Sequence, residues 1–209
     1  KAARDVPQEF VGDEAHRGDM VWSAAVPEEL RSRATAVIGN FPVSQASQYT
    51  RLEWLQTFSA GVDAYICPGV LPRGTMVTNA SGAYGQSVSE HMFATMWALM
   101  KNLNRYASNQ RDHQWQDEGP VLSPEGGIAL IIGVGDIGSH FAQLAQSVGM
   151  RTFGVRRHAD VPAKGIEKMY GFERLETLLP LADVVAMAVP RSPQTHHLLN
   201  ADRLGRLKS

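Results

Sequence analysis

Short apolar runs alternate along the chain with longer segments of helical periodicity. Runs with the composition of β-strands lie at residues 35–38, 52–58, 75–78, 128–132, 152–155 and 183–189, and a weaker one lies near 167–170. Such alternation is typical of parallel sheets with helices on their faces. The continuously apolar stretch 184–189 predicts a strand buried on both faces. Residues 1–30 are weakly patterned, and no element is predicted there.

Two segments repeat apolar side chains at helical spacing. The first begins near Ser87, which is spaced from Glu90 as in a capping box. The second begins near Asp136, and Gly149 is placed to end it. The apolar positions are Val88, Met92, Met96 and Leu99 in the first helix, and Ile137, Phe141, Leu144, Ala145 and Val148 in the second.

A polar stretch rich in proline and glycine separates these two helices. Residues 109–127 contain Pro120, Pro124, Gly126 and Gly127, which is typical of a connection. We therefore expect a domain change within residues 100–123. The predicted domains are residues 1–100 and residues 101–209.

Composition and charge exclude several classes of protein. The 209 residues are 44% hydrophobic and 20% charged, with a formal net charge of -1, so there is no basic footprint for nucleic acid and no charged disordered tail. The longest apolar stretch, residues 92–100, is too short to span a membrane. Cys67 is the only cysteine, which excludes a disulfide framework and suits a reducing compartment such as the cytoplasm.

The strongest chemical signal is a glycine-rich turn, residues 133–138, with the sequence Gly-Val-Gly-Asp-Ile-Gly. A predicted strand precedes it, and a helix and a second strand follow, which is the context of a dinucleotide-binding unit. Gly133 permits the tight turn, Gly135 lets the backbone approach a pyrophosphate, and Gly138 lets the helix lie close to the strand. The helix N-terminus, at Asp136 and Ile137, then offers N–H groups to the phosphates.

The end of the second strand indicates which cofactor binds. An acidic residue there would accept hydrogen bonds from the adenosine ribose, but this strand ends in Arg156, Arg157 and His158. Two guanidinium groups suit a 2′-phosphate. The sequence therefore predicts NADP(H) over NAD(H). Asp160 lies close enough in sequence to leave NAD(H) possible, and a solvated strand end is the alternative for the arginines.

Several short motifs appear together in one order. Leu-Glu-Trp-Leu-Gln at 52–56 leads into Ser-Ala-Gly-Val-Asp at 59–63, Asn-Ala-Ser-Gly at 79–82, and Ser-Val-Ser-Glu-His at 87–91. After the glycine-rich turn come Leu-Ala-Asp-Val-Val at 181–185 and Val-Pro-Arg-Ser-Pro-Gln-Thr-His-His-Leu at 189–198. In this order and spacing, the chain from about residue 52 to residue 209 resembles the D-isomer-specific 2-hydroxyacid dehydrogenases, especially the glyoxylate/hydroxypyruvate reductase branch.

The resemblance implies an α/β protein of two parallel-sheet domains, a flavodoxin-like substrate domain and a Rossmann domain that is partial in this chain, with the active site between them. It implies reduction of a small 2-oxo acid to the D-2-hydroxy acid by a nicotinamide cofactor. The backbone N–H groups of Ala60 and Gly61 would hold the substrate carboxylate, and Val88 would face the nicotinamide. The adenosine side of the cofactor site would be lined by Val189, Pro190 and Thr195. Arg156 matches the NADP-using members.

The family's catalytic Arg, Glu and His all follow the segment that matches residues 200–208. No residue of this chain corresponds to them, so none is assigned a catalytic role. A dinucleotide domain has about six parallel strands, more than the sequence predicts after residue 123. We therefore expect a fragment of a longer protein or a truncated product. If the chain is complete, we expect exposed apolar surface, low stability and no turnover.

The remaining candidates receive structural interpretations. His196 and His197 follow a strand end without a carboxylate partner, and His91 is expected to pack on its helix. His16, His113, His140 and His158 lack metal-ligand spacing, so no metal is predicted. Trp115 is either a local hydrophobic plug or a contact in a homodimer. The resemblance favours the homodimer, because family members commonly dimerise through the segment matching 103–119. The functional alternatives to a reductase are a non-catalytic NADP-binding module and an inactive fragment.

Overall fold

The computed structural model describes residues 26–208, and the chain divides into two units between Ser81 and Gly82. The sequence predicted a division near residue 100 instead. The difference arises because the helix at Gly85–Met100 packs against the helix at Asp136–Ser147 in the second unit. Apolar periodicity predicts that a helix exists but not which sheet it covers.

The first unit is built around a parallel three-stranded sheet. Its strands are β1 (Ala36–Ile38), β2 (Trp54–Gln56) and β3 (Met76–Thr78), in the order β1-β2-β3. A short helix α1 (Glu28–Arg31) and a 3-10 helix (Val43–Gln48) complete it. The core gathers around Leu55, where the rings of Phe41 and Tyr49 stack with their centroids 4.2 Å apart. The predicted strands at 35–38, 52–58 and 75–78 are confirmed, with shorter bounds for the second.

The second unit contains a parallel four-stranded sheet in the order β6-β5-β4-β7. The strands are β4 (Ile128–Ile132), β5 (Arg151–Val155), β6 (Lys168–Tyr170) and β7 (Val184–Met187). The helices are α2 (Gly85–Met100), α3 (Leu103–Arg111), α4 (Asp136–Ser147), α5 (Leu175–Leu178) and α6 (Ala201–Leu204), with 3-10 turns at Phe172–Arg174 and Leu179–Leu181. All the strands predicted for this half of the chain are confirmed.

Strand β4 is one of the two inner strands of this sheet, and its side chains enter the core on both faces. Ala129 and Ile131 face a cluster formed with α2 and α4, whereas Leu130 and Ile132 face a cluster formed with α5. The prediction that residues 184–189 form a strand buried on both faces is wrong. In the described residues β7 lies at the edge of the sheet, and Met187 is 47% exposed.

Two further local predictions are corrected. Helix α2 begins at Gly85 with Tyr84 as its N-cap residue, and no side chain caps it. Ser87 lies inside the helix and its hydroxyl donates to the Tyr84 carbonyl, so the predicted capping box is absent. The polar connection predicted from residue 109 begins later, because α3 extends to Arg111. No residue of α3 is buried, which explains why it left no apolar periodicity in the sequence.

The carboxylate of Asp183 joins the edge strand to the centre of the sheet. It accepts hydrogen bonds from the Ile128 N–H at 2.8 Å and from Lys208 Nζ at 2.6 Å. Burial alone would raise the pKa of Asp183, but the hydrogen bonds from Lys208 and Ile128 outweigh it and hold that pKa below its usual value. A carboxyl with a lowered pKa in the folded state stabilises the fold fully above its unfolded pKa, near 4.

We predict that this contribution disappears in acid, as the pH falls through the pKa that Asp183 has in the folded protein. Asp183→Asn is expected to lower stability at pH 7 and to weaken its dependence on pH below about 4. Urea unfolding at pH 7 and at pH 3 measures both effects. Asp112→Asn, at an exposed position after α3, controls for the loss of one charge. An acid dependence equal in Asp183→Asn and the native chain would contradict the prediction.

Candidate functional site

The glycine-rich turn lies where the carboxyl end of β4 meets the start of α4. The Gly133 N–H donates to the Val155 carbonyl at 2.8 Å, which ties the turn to the neighbouring strand. Gly133 has φ +93°, and a Cβ placed there would lie 2.4 Å from the Ala188 carbonyl oxygen. A Cβ at Gly138 would lie 2.1 Å from the Gly133 carbonyl oxygen. Both positions therefore exclude any larger residue for reasons of packing.

Gly135 differs from its two neighbouring glycines, because a Cβ at this position would meet no atom within 4 Å. It is the N-cap residue of α4, and no side chain caps that end of the helix. The N–H groups of the first turn, at Asp136 and Ile137, therefore have no intrahelical carbonyl to bind. Open space in front of uncapped N–H groups and a positive helix end is suited to an anionic group such as a pyrophosphate.

The start of α2 packs directly against this helix end. A Cβ at Gly85 would lie 2.3 Å from a carboxylate oxygen of Asp136, so a larger residue there would displace that side chain. Val88, one turn further along α2, is 37% exposed. In the sequence, Gly85 is a lone glycine before an apolar periodic segment, a pattern that also fits an ordinary turn. Its role in packing was therefore not predicted.

The carboxyl end of β7 contributes the next wall of the site. Val189 follows the strand, and its Cγ1 would lie 2.7 Å from a Cβ at Gly133. Beyond it, the Thr195 hydroxyl donates to the Pro190 carbonyl at 2.6 Å and accepts from the Ser192 N–H at 2.8 Å. These bonds hold residues 190–195 in one compact turn. Val189 therefore lies beside the glycine-rich turn, and Pro190 and Thr195 lie in the compact turn that comes directly after Val189.

The two arginines after β5 are in different environments. Arg156 is half-buried, and its guanidinium donates to the carbonyls of His158 at 3.0 Å, of Val134 at 3.3 Å, and of Val161. Arg157 is exposed and makes no hydrogen bond or ion pair with any residue in the range 26–208. The sequence assigned both arginines to the 2′-phosphate and the resemblance singled out Arg156, but neither could tell which side chain turns back onto the fold.

A cavity of about 400 Å³ opens beside the first turn of α4. Its lining consists of Asp136, Ser139, His140, Gln143, Arg156, Pro162, Ala163 and Lys164. It therefore lies between α4 and the loop that follows β5. Gly165, at φ +73°, lets that loop approach α4, since a Cβ there would lie 2.5 Å from the Gln143 backbone nitrogen. The role of Gly165 could not be predicted either, because it is a single glycine in an unpatterned loop.

In the first unit, Ala60 and Gly61 follow β2 on an exposed loop. Asn79 Nδ2 donates to the Ala60 carbonyl at 2.7 Å, and the Ser59 hydroxyl donates to the Gly61 carbonyl at 2.8 Å. The carbonyls are thus held, whereas the Ala60 and Gly61 N–H groups donate to nothing within the described residues. Paired free N–H groups can bind a carboxylate.

The remaining candidate side chains are mostly exposed. The prediction that His91 packs on its helix is wrong in part, since it is exposed and lies beside Met92 along an apolar groove. His196 and His197 are exposed, and their rings meet edge to face with centroids 3.9 Å apart. Trp115 is fully exposed, so it is not a local plug. His16 lies outside the described residues.

The part of the chain that the structure describes contains no group of three or more His, Cys, Asp or Glu residues able to hold a metal ion. Likewise, none of the helices within residues 26–208 combines the length and the apolar character needed to cross a membrane.

Comparison with known proteins identifies the same glycine-rich half of the chain. Residues 93–209 match the family described as D-isomer specific 2-hydroxyacid dehydrogenase, NAD binding domain. The chain is 26% identical to the glycerate dehydrogenase of Methylorubrum extorquens, over 88% of this chain and 58% of that protein. It is 28% identical to the glyoxylate reductase of Thermofilum pendens, over 75% of this chain and 48% of that protein. The chain therefore spans roughly half the length of these relatives.

A solved structure shows the same fold. A D-isomer specific 2-hydroxyacid dehydrogenase family protein from Aeromonas salmonicida subsp. salmonicida superimposes with a TM-score of 0.76 at 30% sequence identity. The match covers 87% of this chain and 58% of that structure. The predicted α/β fold with a Rossmann dinucleotide-binding domain is thereby confirmed.

Proposed function

The chain belongs to the D-isomer specific 2-hydroxyacid dehydrogenase family, and from this we propose that the protein reduces a small 2-oxo acid to the D-2-hydroxy acid with NADPH. The observation that carries the proposal is the open space at Gly135 in front of the uncapped N-terminus of α4. In our proposal the N–H groups of Asp136 and Ile137 hold the pyrophosphate, with Gly133 and Gly138 shaping the turn around it.

The cofactor, when bound, supplies a hydride to the carbonyl carbon of the substrate, and the carbonyl oxygen takes up a proton. The chain's own residues would orient the two reactants. Val88 would pack against the nicotinamide, and the adenosine half would lie along Val189, Pro190 and Thr195. The Ala60 and Gly61 N–H groups would hold the substrate carboxylate. Glyoxylate- or hydroxypyruvate-like acids are the proposed substrates, in keeping with the glyoxylate reductase among the relatives.

The preference for NADPH rests on the positive charge that follows β5. Arg156 and Arg157 stand where an acidic residue would bind the adenosine ribose of NAD. A charge-assisted hydrogen bond to the 2′-phosphate contributes about 1.5–3 kcal/mol, which corresponds to about tenfold or more in affinity. NAD(H) is the proposed weaker ligand. We also propose a cytoplasmic location, because exposed Cys67 is the lone cysteine.

Cofactor titration followed by a turnover assay tests this function. We expect this chain to bind NADPH saturably, at least about tenfold tighter than NADH. Oxidation of NADPH by glyoxylate or hydroxypyruvate is expected only from a protein that joins this chain to the catalytic Arg, Glu and His of the family. Binding without turnover on either acid in such a protein would instead favour the alternative, a non-catalytic NADP-binding module. One observation supports that alternative: among the described residues, histidines 91, 196 and 197 form no ion pair with a carboxylate. Absence of binding to both cofactors would contradict the proposal.

We further propose that Trp115 lies in a homodimer interface, because its whole side chain is exposed and aromatic residues are enriched in interfaces. Trp115→Ala is expected to weaken the dimer by at least about tenfold, the effect of a hot-spot residue, and to leave the melting temperature of the monomer unchanged. Sedimentation at several concentrations measures the dimer. Gln114→Ala, at the neighbouring exposed position, is the matched control. Dimers of equal affinity in both variants would exclude Trp115 from the interface.

A further inference from the structure

Arg156 and Arg157 are adjacent at the end of β5, but their guanidinium groups differ in hydrogen bonding. Only the Arg157 guanidinium has no partner within the described residues. The Arg156 guanidinium donates three hydrogen bonds to backbone carbonyls, and its own backbone N–H donates to the Tyr170 carbonyl at 3.0 Å. An arginine has five side-chain N–H donors in a planar fork. Most of that capacity is therefore used inside the protein.

The three acceptors belong to different parts of the cofactor site. Val134 lies within the glycine-rich turn, whereas His158 and Val161 lie in the loop after β5. The Val134 side chain is 4% exposed and also restricts Gly154, where a Cβ would lie 2.8 Å from Val134 Cγ2. The guanidinium therefore joins the turn to the loop at a point that is already tightly packed. Loss of the hydrogen bond from Arg156 to the Val134 carbonyl would free the peptide group that precedes Gly135.

Arg157 has the opposite properties. It is exposed, and no residue in the described range pairs with its guanidinium. A guanidinium that is unpaired in the folded protein can bind a phosphate without first breaking an internal bond. Arg156 would have to give up carbonyl contacts to do the same, which would loosen the turn that holds the pyrophosphate.

We propose that Arg156 is a positioning residue that holds the glycine-rich turn for either nicotinamide cofactor, which leaves the 2′-phosphate contact of the proposed function to Arg157 alone. This division rests on the proposed function, since it presupposes that the turn binds such a cofactor. It differs from the interpretation in which Arg156 itself contacts the 2′-phosphate. The two assignments predict different ratios of NADPH to NADH affinity in matched variants.

The test compares Arg156→Lys with Arg157→Ala in the full 209-residue chain, with NADPH and NADH as separate titrants. Lysine keeps the positive charge but replaces the planar guanidinium with a single ammonium group. That group cannot reproduce the three hydrogen bonds that Arg156 donates. We expect Arg156→Lys to weaken both cofactors by a similar factor and to leave their affinity ratio unchanged. We expect Arg157→Ala to lower NADPH affinity on the order of tenfold and to leave NADH affinity unchanged.

Hydrogen exchange separates positioning from a general loss of stability. In Arg156→Lys, the amides of Gly133 and Ser139, which donate to the Val155 and Gly135 carbonyls, are expected to exchange faster, while those of strand β4 exchange at the native rate. Faster exchange throughout the second unit, or a loss confined to NADPH in Arg156→Lys, would overturn the assignment of Arg156. Unchanged NADPH affinity in Arg157→Ala would overturn that of Arg157.

The same titrations distinguish failure of the proposed function from failure of the roles assigned to the two arginines. If the native chain binds neither cofactor, the proposed function fails. If it binds both equally, the proposed NADPH preference and the role of Arg157 fail together. The positioning role of Arg156 is still tested in that case, because its loss is expected to weaken binding of either cofactor.

Discussion

Gly135→Ala is expected to lower the affinity for NADPH and NADH by about tenfold or more, which is the cost of overpacking a site by one methyl group, about 1–3 kcal/mol. The protein itself offers no obstacle to this methyl group, since no atom lies within 4 Å of the Cβ position. The backbone at Gly135, φ -100° and ψ -150°, is extended and open to alanine. The methyl group would therefore obstruct only the ligand.

Cofactor titration and a thermal melt, carried out on the same preparation, measure the two halves of this prediction. The melting temperature of Gly135→Ala is expected to stay within a few degrees of the native value, because no internal contact changes. Native affinity for both cofactors in this variant would mean that the pyrophosphate does not approach Gly135. That result would remove the main support for the proposed cofactor site.

Gly138→Ala is expected to have the opposite profile, with a large loss of stability in the second unit. Alanine is favoured over glycine within a helix by about 1 kcal/mol, so the intrinsic preference alone would stabilise α4. The new Cβ would, however, lie 2.1 Å from the Gly133 carbonyl oxygen and 3.1 Å from Ile131 Cγ2. The carbonyl belongs to the backbone of the glycine-rich turn, so no rotation of a side chain can relieve the contact.

We expect a net destabilisation of about 3 kcal/mol or more, at the upper end of what overpacking costs. This corresponds to a fall in melting temperature on the order of 10 °C. Gly135→Ala is the matched control, because it adds the same methyl group to the same turn. Equal melting temperatures for the two variants would show that α4 can shift away from β4 at little cost, contrary to the close packing described here.

Local signals in the sequence predict most of the second unit. Its strands leave apolar runs because β4 and β5 are buried in a sheet with helices on its faces, and α4 leaves a helical repeat because one of its faces enters the core. The glycine-rich turn is recognisable because its own backbone requires glycine. Gly133 has φ +93°, and a Cβ at Gly138 would lie 2.1 Å from the Gly133 carbonyl oxygen, so both requirements arise within the turn.

Contacts between distant parts of the chain determined the rest. Gly85, at the start of α2, lies against the Asp136 carboxylate, and the burial of β7 depends on its place at the edge of the sheet. Neither fact is contained in a local pattern. Residues 156 and 157 are alike in sequence, yet only Arg156 reaches the Val134 carbonyl, because the loop after β5 folds back beside the turn.

The sequence by itself therefore determined the α/β class, the strand positions and the glycine-rich turn, since each follows from burial or steric demand along a short stretch. The tertiary structure alone decided the boundary of the two units, the edge position of β7 and which arginine is unpaired. These three features depend on contacts between residues that are far apart in the chain, and no local sequence pattern predicts such contacts.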